Sequence, residues 1–255
     1  MSRLNAELAS AFGLLTQIPL GRFLPEPEAV DHGRSVWSYP LVGLALGALA
    51  GLIYRLAIGF GMMPLLAACW TLVASILLTG GLHEDGLADT TDGLGGGRNP
   101  ARKLEIMQDS RIGSFGTLSL LLSLALRGSA LVSIARPSQV AVALIVAGVL
   151  GRTVMIVPLR FSCPARPSGM AAALGAVRPG PASAGIVIGI VVAGLLIPLR
   201  LAVLLIAVTL ALGLAWSRWL TQQVGGYTGD TLGALELIAE CLILTIMAIE
   251  YSPAR

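Results

Sequence analysis

Seven long apolar segments decide what this chain of 255 residues can fold into. At the 1.5 Å rise of an α-helix, most of them can cross a hydrocarbon layer of about 30 Å. Charged residues make up only 12% of the sequence, about half the share in soluble domains. We therefore predict an all-α, polytopic integral membrane bundle of about seven spans, with a range of six to eight, and not a cytosolic enzyme or a nucleic-acid-binding module. The segments run over 36–58, 62–80, 114–135, 138–157, 184–198, 201–220 and 234–251.

The rest of the chain supplies loops and not a second domain, so residues 1–255 are predicted to form a single membrane domain. Two loops stand out: an acidic, glycine-rich catalytic loop at 81–113 and a proline- and arginine-rich loop at 158–183. Segment 4–20 is only moderately apolar, because Glu7 and other polar residues interrupt it. We predict that it forms an interfacial helix, with an additional span as the alternative.

Basic residues are distributed unevenly between the two sides that this order of spans creates. Eleven of them fall in 1–35, 81–113, 158–183 or near the end of the sixth span, whereas only four lie on the other side. Cytoplasmic loops carry the excess of lysine and arginine in multi-span proteins. We therefore expect both long loops, and segment 221–233 with them, to face the cytoplasm.

Acidic residues are concentrated in two places, of which the first is the loop 81–113. This loop holds six of the 14 acidic residues, and none lies between it and position 230. On a helix, Asp85, Asp89 and Asp92 would share one face, where their charges repel. A bound cation explains such an arrangement, and carboxylates without histidine or cysteine partners suit Mg²⁺. A solvated acidic face near a helix N-terminus is the alternative.

Groups suited to binding phosphate follow in the same loop. The glycine-rich stretch 93–97 is expected either to let backbone N–H groups approach a phosphate or to act as a flexible linker. Asp109 and Arg111 come just before the third span, where they suit a metal ligand and a phosphate clamp. A surface ion pair between them is the alternative. Arg98 and Lys103 are further candidates for binding an anionic substrate.

The second acidic place precedes and enters the seventh span. We predict Asp230 as a metal ligand and Thr228 as a substrate contact. Capping of the last helix by Asp230 or Thr231 is the alternative. Glu236 and Glu240 lie within the span, where carboxylates are costly and usually functional. They are candidates for substrate binding, with pairing to a buried arginine of another span as the alternative.

One histidine adjoins the first acidic group. We predict His83 as a general base and Asp85 as a second catalytic residue. On a helix His83 would lie opposite the aspartates, so it helps the reaction only if it precedes the helix; a structural role is the alternative. Carboxylates that hold a metal, glycine-rich backbone and arginines at a membrane surface together suggest phosphoryl or phosphodiester transfer.

Four segments of the chain resemble the cobalamin synthase family, whose members are adenosylcobinamide-GDP ribazoletransferases. The pattern Leu-His-x-Asp-Gly-Leu-Ala-Asp-x-x-Asp-Gly in the second segment is very specific. Gln17 and Gln108 depart from the family, because basic residues are expected at these positions. The segments keep the family's order and are 15–19, 80–93, 106–116 and 227–234.

The resemblance implies a multi-pass enzyme of the bacterial inner membrane, with its active site facing the cytoplasm. Such an enzyme takes part in vitamin B12 biosynthesis: it joins α-ribazole, or its 5′-phosphate, to adenosylcobinamide-GDP and releases GMP with the help of Mg²⁺. Its partners are these substrates and the lipid bilayer, with no nucleic acid. The sequence leaves open whether the chain forms a homo-oligomer.

Two other functions remain open from the sequence alone. A CDP-alcohol phosphotransferase, which makes a phospholipid, also uses aspartates on membrane helices. Segment 89–93 fits the first half of its pattern, but glycines at 96 and 97 replace the expected Ala-Arg. A cation-coupled transporter is the other alternative. Against it, the acidic residues lie mainly on one surface.

Overall fold

The structure is a computed structural model that describes residues 3–18, 31–174 and 177–252. Within these ranges every regular element is a helix, and one isolated β-bridge joins two loops. A 3-10 helix over His32–Ser38 leads directly into α2. The α-helices are α1 (Arg3–Leu15), α2 (Tyr39–Gly59), α3 (Pro64–Thr79), α4 (Leu82–Gly96), α5 (Pro100–Ile106), α6 (Ser114–Ile134), α7 (Pro137–Phe161), α8 (Met170–Ala173), α9 (Pro179–Leu196), α10 (Leu199–Val224) and α11 (Gly229–Tyr251).

Six of the described helices are long and apolar enough to cross a membrane, which confirms the polytopic fold. They are α2 with its leading 3-10 helix, α6, α7, α9, α10 and α11. The second predicted span, 62–80, is α3, which has only 16 residues. It passes the same test only together with α4, from which a bend of 87° separates it. Six helices therefore qualify, and the count is seven if the bent pair of α3 and α4 is taken as one span. Because α4 carries four carboxylates, we place α4 itself outside the membrane.

Two glycines make the bend between α3 and α4. Gly80 follows α3 with φ +68° and Gly81 precedes α4 with φ +72°. These angles lie in the left-handed region, which glycine adopts at no steric cost. The side chain of Gln17 lies against Gly80, so a larger residue at position 80 would also clash. The bend turns α4 nearly at right angles to α3.

Helix α7 is the most buried span, and α2 packs directly on it. Of the apolar window of α7, 83% is buried. Gly43, Gly47 and Gly51 form a stripe along α2, and a Cβ atom on Gly47 would lie 2.5 Å from the carbonyl oxygen of Leu144 in α7. Small residues at such spacing let helix backbones approach closely in membranes. Larger residues in this stripe would therefore force α2 and α7 apart.

Helix α1 has 13 residues and is therefore too short to span a bilayer. Its Glu7 is buried and accepts hydrogen bonds from Arg34 Nε at 3.0 Å and Trp37 Nε1 at 2.8 Å. Burial alone would raise the pKa of Glu7, but these bonds and the charges of Arg34 and Arg3 outweigh it and hold the pKa below its usual range. The end of the predicted helix, at 19–20, lies outside the described residues.

The three segments that we expected on one side of the membrane lie at the same end of the bundle. Arg166 of the proline- and arginine-rich loop donates a hydrogen bond to the carbonyl oxygen of Leu104 in α5 at 2.8 Å. The backbone of Tyr227, just before α11, bonds to Cys163 and Ala165 of the same loop. The loop therefore joins both acidic segments.

The acidic, glycine-rich segment is largely helical and not a loop. Helices α4 and α5 fill most of it, and Gly93 and Gly95 lie within α4. A Cβ atom on Gly95 would lie 2.7 Å from the ring of Phe115, and Gly93 packs against Met107. The linker interpretation of this stretch is therefore wrong, because its glycines allow α4 to pack closely against its neighbours.

Candidate functional site

Two faces of α4 carry charged side chains, and both meet α11. Asp85 and Asp89 lie on one face, close to Asp230 in the first turn of α11; we call these three residues the acidic cluster. Gly86 allows this approach, since a Cβ atom there would lie 2.7 Å from the backbone oxygen of Asp230. Helix α6, the third predicted span, packs against α11, the seventh, and Asp230 faces the first acidic group.

The acidic cluster is only partly compensated by positive charge. Burial raises the pKa of Asp89 to about 6, and the charges of Asp85, Asp230 and Asp92 add to the rise. The charge of Arg166 acts in the opposite direction and lowers the pKa of Asp89. Carboxylates that are held together in spite of their repulsion favour a cation as ligand.

Asp92 has a different role from Asp85 and Asp89. Its Oδ2 accepts a hydrogen bond from the backbone N–H of Gly113 at 2.7 Å, and its Oδ1 accepts one from Gly116 at 2.9 Å. Asp92 therefore caps the N-terminus of α6 from a neighbouring helix, where negative charge is favourable. The structure thus gives this predicted metal ligand a helix-docking role, because both of its oxygens bind backbone donors.

The opposite face of α4 enters a set of ion pairs inside the bundle. Glu84 binds Arg127 of α6 at 3.0 Å, and Arg127 also pairs with Glu240 of α11 at 3.6 Å. Arg152 of α7 pairs with Glu236 of α11. Two arginines thus face three glutamates, and these five residues, here named the ion-pair network, connect four helices.

Glu236 and Glu240 therefore pair with buried arginines of other spans, which was the alternative to substrate binding. Glu236 is fully buried and is bound by Arg152, so it is not placed to contact a substrate. Glu240 lines a small internal cavity beside Arg127. Carboxylates in an apolar interior require a paired cation, which explains why both residues bind arginine and argues against a substrate contact for either.

His83 lies within the first turn of α4, not in front of it, and is buried. Its Nδ1 is 3.4 Å from the Arg152 guanidinium and 3.3 Å from the Glu236 carboxylate. Burial and the charge of Arg152 lower the pKa of His83 to about 3, so its ring is neutral. Only the contact with Arg152 has hydrogen-bond geometry, since Oε2 of Glu236 has no hydrogen-bond partner. Arg152 can only donate, so Nδ1 is assigned as the acceptor and the hydrogen is placed on Nε2. In this arrangement His83 is a hydrogen-bond donor and not the predicted general base.

Asp109 and Arg111 form the surface ion pair that was the alternative for them. Arg111 donates to both carboxylate oxygens of Asp109, with shortest distances of 2.7 and 3.0 Å. Its hydrogen bonds lower the pKa of Asp109 to about 2. Lys103 binds the side chain of Gln223, and Arg98 is exposed beyond the end of α4. The described contacts bring none of these four predicted residues to the acidic cluster.

Helix α11 is capped by Thr228 and not by Asp230. The Thr228 hydroxyl accepts a hydrogen bond from the N–H of Thr231 at 3.2 Å, and the Thr231 hydroxyl accepts one from the N–H of Thr228 at 2.8 Å. This reciprocal pair is a capping box. Thr228 also donates to the Asp230 carboxylate at 3.2 Å. Asp230 is thus held in position without serving as the cap.

Two cavities meet at Asp85. The first lies between α1, α2, α4, α7 and α11, and its wall includes His83, Asp230 and Thr228. The second opens at the bend between α3 and α4, and Asp89 lines it. Asp85 lines both cavities. A group bound in either one can therefore reach the acidic cluster.

Arg166 and Tyr39 line the first cavity, but the sequence did not identify them as site residues. Arg166 entered the sequence argument only as one basic residue of its loop. The signal that could have found it is a loop with arginines and no acid, placed on the same side as an excess of acid. Tyr39 begins α2, where a tyrosine is equally expected at a membrane interface.

The acidic cluster fits Mg²⁺ better than a metal that needs a complete protein cage. Across 3–18, 31–174 and 177–252, no three His, Cys, Asp or Glu side chains are arranged as a complete metal-binding group. Mg²⁺ is usually held by one or two carboxylates, while water and substrate phosphates supply its other ligands. The oxygen atoms of Asp89 and Asp230 suit such partial coordination.

Comparison with known proteins identifies close relatives over almost the whole chain. A protein of Bradyrhizobium diazoefficiens named adenosylcobinamide-GDP ribazoletransferase is 42% identical over 243 residues, which cover 95% of this chain and 93% of that protein. A protein of the same name from Mesorhizobium japonicum is 38% identical and covers 90% of each chain. A third, from Shewanella piezotolerans, is 38% identical over 94% of this chain and 93% of its own.

No solved structure matches the chain significantly. The family model of CobS, described as cobalamin-5-phosphate synthase, matches residues 7–248. This match includes both acidic segments, every spanning helix except the last residues of α11, and most of α1. The chain therefore belongs to the cobalamin-5-phosphate synthase family.

Proposed function

We propose that this chain catalyses the reaction for which its relatives are named: it joins α-ribazole, or its 5′-phosphate, to adenosylcobinamide-GDP and releases GMP. The observation that supports this most is the meeting of the acidic cluster with Arg166 between two cavities. A site that combines carboxylates with an arginine suits a diphosphate substrate. The two cavities suit a reaction that joins two molecules.

In the proposed reaction, a hydroxyl group of the ribazole attacks the phosphorus atom that is joined to cobinamide. One P–O bond forms, and the bond from this phosphorus to the bridging oxygen of GMP breaks. GMP leaves with the bridging oxygen, and the hydroxyl proton passes to a base. Asp85 is the carboxylate best placed to accept it, because it lines both cavities. Arg166 holds the diphosphate by a forked contact.

Mg²⁺ is the proposed cofactor, held by Asp89 and Asp230. When bound, it neutralises charge on the phosphate oxygens of the substrate. The protein itself holds the reacting groups in position. Thr228 orients the Asp230 carboxylate, and the carbonyl oxygen of Leu104 orients Arg166.

The proposed location is the bacterial inner membrane, with the acidic cluster at the cytoplasmic end. The excess of basic residues and the contacts among the three segments at that end support this orientation. In intact cells, a membrane-impermeant thiol reagent should label Arg200→Cys but not Arg98→Cys, each in a background without exposed cysteines. Labelling at 98 and not at 200 would contradict the orientation.

The activity itself is tested with purified protein in detergent. Incubation with adenosylcobinamide-GDP, α-ribazole and Mg²⁺ should give cobalamin and GMP in equal amounts. Asp85→Asn, assayed beside it, keeps the shape of the side chain and should lose most of the product. Failure of the wild-type protein to form any cobalamin would overturn the proposal.

A further inference from the structure

Much of the wall of the first cavity is apolar and buried. Leu15, Met155 and Leu232 contribute to it, and their side chains are almost fully buried. Tyr227, also buried, adds an aromatic surface. Pockets for small planar ligands are typically apolar and aromatic, with a few polar groups that fix the orientation.

Two buried polar atoms in this wall have no hydrogen-bond partner among the described residues: the hydroxyl of Tyr39 and Nε2 of His83. Tyr39 is 1% exposed and His83 is 2% exposed. A buried polar atom without a partner costs about 1–3 kcal/mol, so a ligand that supplies partners is favoured here. Nδ1 of His83 faces Arg152, so Nε2 lies on the opposite edge of the ring, as a donor.

The second cavity is different, because it is larger: its volume is about 640 Å³, against about 260 Å³ for the first. Gln17, Ser110 and Ile112 are all exposed to solvent on its wall. It lies at the bend between α3 and α4, where the chain leaves the bundle. A bulky ligand can lie in this larger cleft, whereas the smaller first cavity suits only a smaller molecule.

We infer that the first cavity binds the nucleoside substrate by its planar, uncharged benzimidazole base, and that the second cavity binds the corrinoid nucleotide. The inference rests on the proposed function. The benzimidazole of a nucleoside has one unsubstituted ring nitrogen, which can only accept a hydrogen bond, and Nε2–H of His83 supplies the matching donor. The Tyr39 hydroxyl bonds to the sugar. The hydroxyl and the diphosphate then meet at Asp85, which both cavities share, and from there the diphosphate reaches Arg166 on the wall of the first cavity.

Two substitutions in the first cavity test this division. Tyr39→Phe removes one hydrogen bond and should raise the KM for α-ribazole about 3- to 10-fold. Met155→Trp fills the cavity and should raise it more than about 10-fold. The KM for adenosylcobinamide-GDP should stay unchanged in both variants. Leu121→Trp is the matched control, because Leu121 is exposed on α6, and melting temperatures establish that each variant is folded.

A change in the ligand tests the contact with His83 without changing the protein. In equilibrium dialysis with the wild-type protein, α-ribazole is compared with its indole analogue, in which C–H replaces the unsubstituted nitrogen. The analogue should bind about 10-fold more weakly. Equal binding of the two would overturn the contact with His83. Variants in which both KM values rise equally, or neither rises, would overturn the division between cavities.

The same experiments separate a failure of this inference from a failure of the proposed function. If the wild-type protein forms cobalamin and the two cavity variants keep a normal KM for α-ribazole, only the inference is wrong. If the wild-type protein forms no cobalamin but binds α-ribazole, and Met155→Trp abolishes that binding, the cavity assignment stands and the proposed reaction is wrong.

Discussion

The acidic cluster and the ion-pair network share helices α4 and α11, but they differ in how far their carboxylates are paired with arginines. The acidic cluster holds three carboxylates with Arg166 beside them and borders two cavities. The ion-pair network sets two arginines against three glutamates inside the bundle. Paired charges therefore connect helices, whereas the poorly compensated charges lie where a ligand can reach them.

The direction in which a side chain points from α4 determines whether it belongs to the acidic cluster or to the ion-pair network. Glu84 and Asp85 are neighbours in sequence, yet Glu84 binds Arg127 and Asp85 lines both cavities. Successive residues of an α-helix point about 100° apart. An acidic motif on one helix can therefore supply both the support of a site and the site itself.

Breaking the ion-pair network should give the largest effect. Arg152→Met leaves the buried Glu236 carboxylate without its partner, which costs about 3–5 kcal/mol of stability. The melting temperature of the purified variant should fall strongly. Adding Glu236→Met to it removes the unpaired carboxylate and should restore most of the loss. If Arg152→Met melts like the wild-type protein, the network does not stabilise the bundle.

A change in the acidic cluster should act on the reaction and not on stability. Asp89→Asn keeps the shape of the side chain but removes a charge, so turnover should fall at least about 100-fold, or about 2.7 kcal/mol in the barrier. The melting temperature should not fall. Asp109→Asn is the matched control, since Asp109 pairs with Arg111 at the surface, and its turnover should stay near normal. Wild-type activity of Asp89→Asn at low Mg²⁺ would exclude Asp89 as a ligand.

Asp92 sharpens the comparison, because it lies next to the acidic cluster but binds backbone. Asp92→Ala removes the acceptor for Gly113 and Gly116, and loss of such a cap costs about 1–2 kcal/mol. We expect a moderately lower melting temperature and a smaller loss of turnover than for Asp89→Asn. Loss of all turnover at an unchanged melting temperature would instead show that Asp92 acts in the reaction.

Much of the fold could be predicted, because apolar length is a local property of the sequence. The predicted break between segments 184–198 and 201–220 corresponds to the turn between α9 and α10, which end and begin at Leu196 and Leu199. The start of α11 was predicted five residues late, because Thr228 and Thr231 begin the helix before its apolar part. The bend at Gly80 was not predicted, since it depends on two consecutive left-handed residues.

The site was predictable only in part. That Asp230 would lie on the same side of the membrane as Asp85 followed from the order of the spans and the excess of basic residues. Which acids pair with arginine depends on how α4 is rotated against α6 and α11, and sequence does not contain that angle. The approach of Arg166 depends on the bridge between Pro164 and Tyr227, which joins residues far apart in the chain.

The most direct test compares Asp230→Asn with Glu236→Gln, measuring turnover and melting temperature on the same samples. Both replace a carboxylate of α11 by its amide, one in the acidic cluster and one in the ion-pair network. Asp230→Asn should lose most of its turnover at an unchanged melting temperature, because asparagine can still bond to Thr228. Glu236→Gln should lower the melting temperature, because Arg152 loses its ionic partner. Near-normal turnover of Asp230→Asn would contradict the assignment of the acidic cluster as the reaction site.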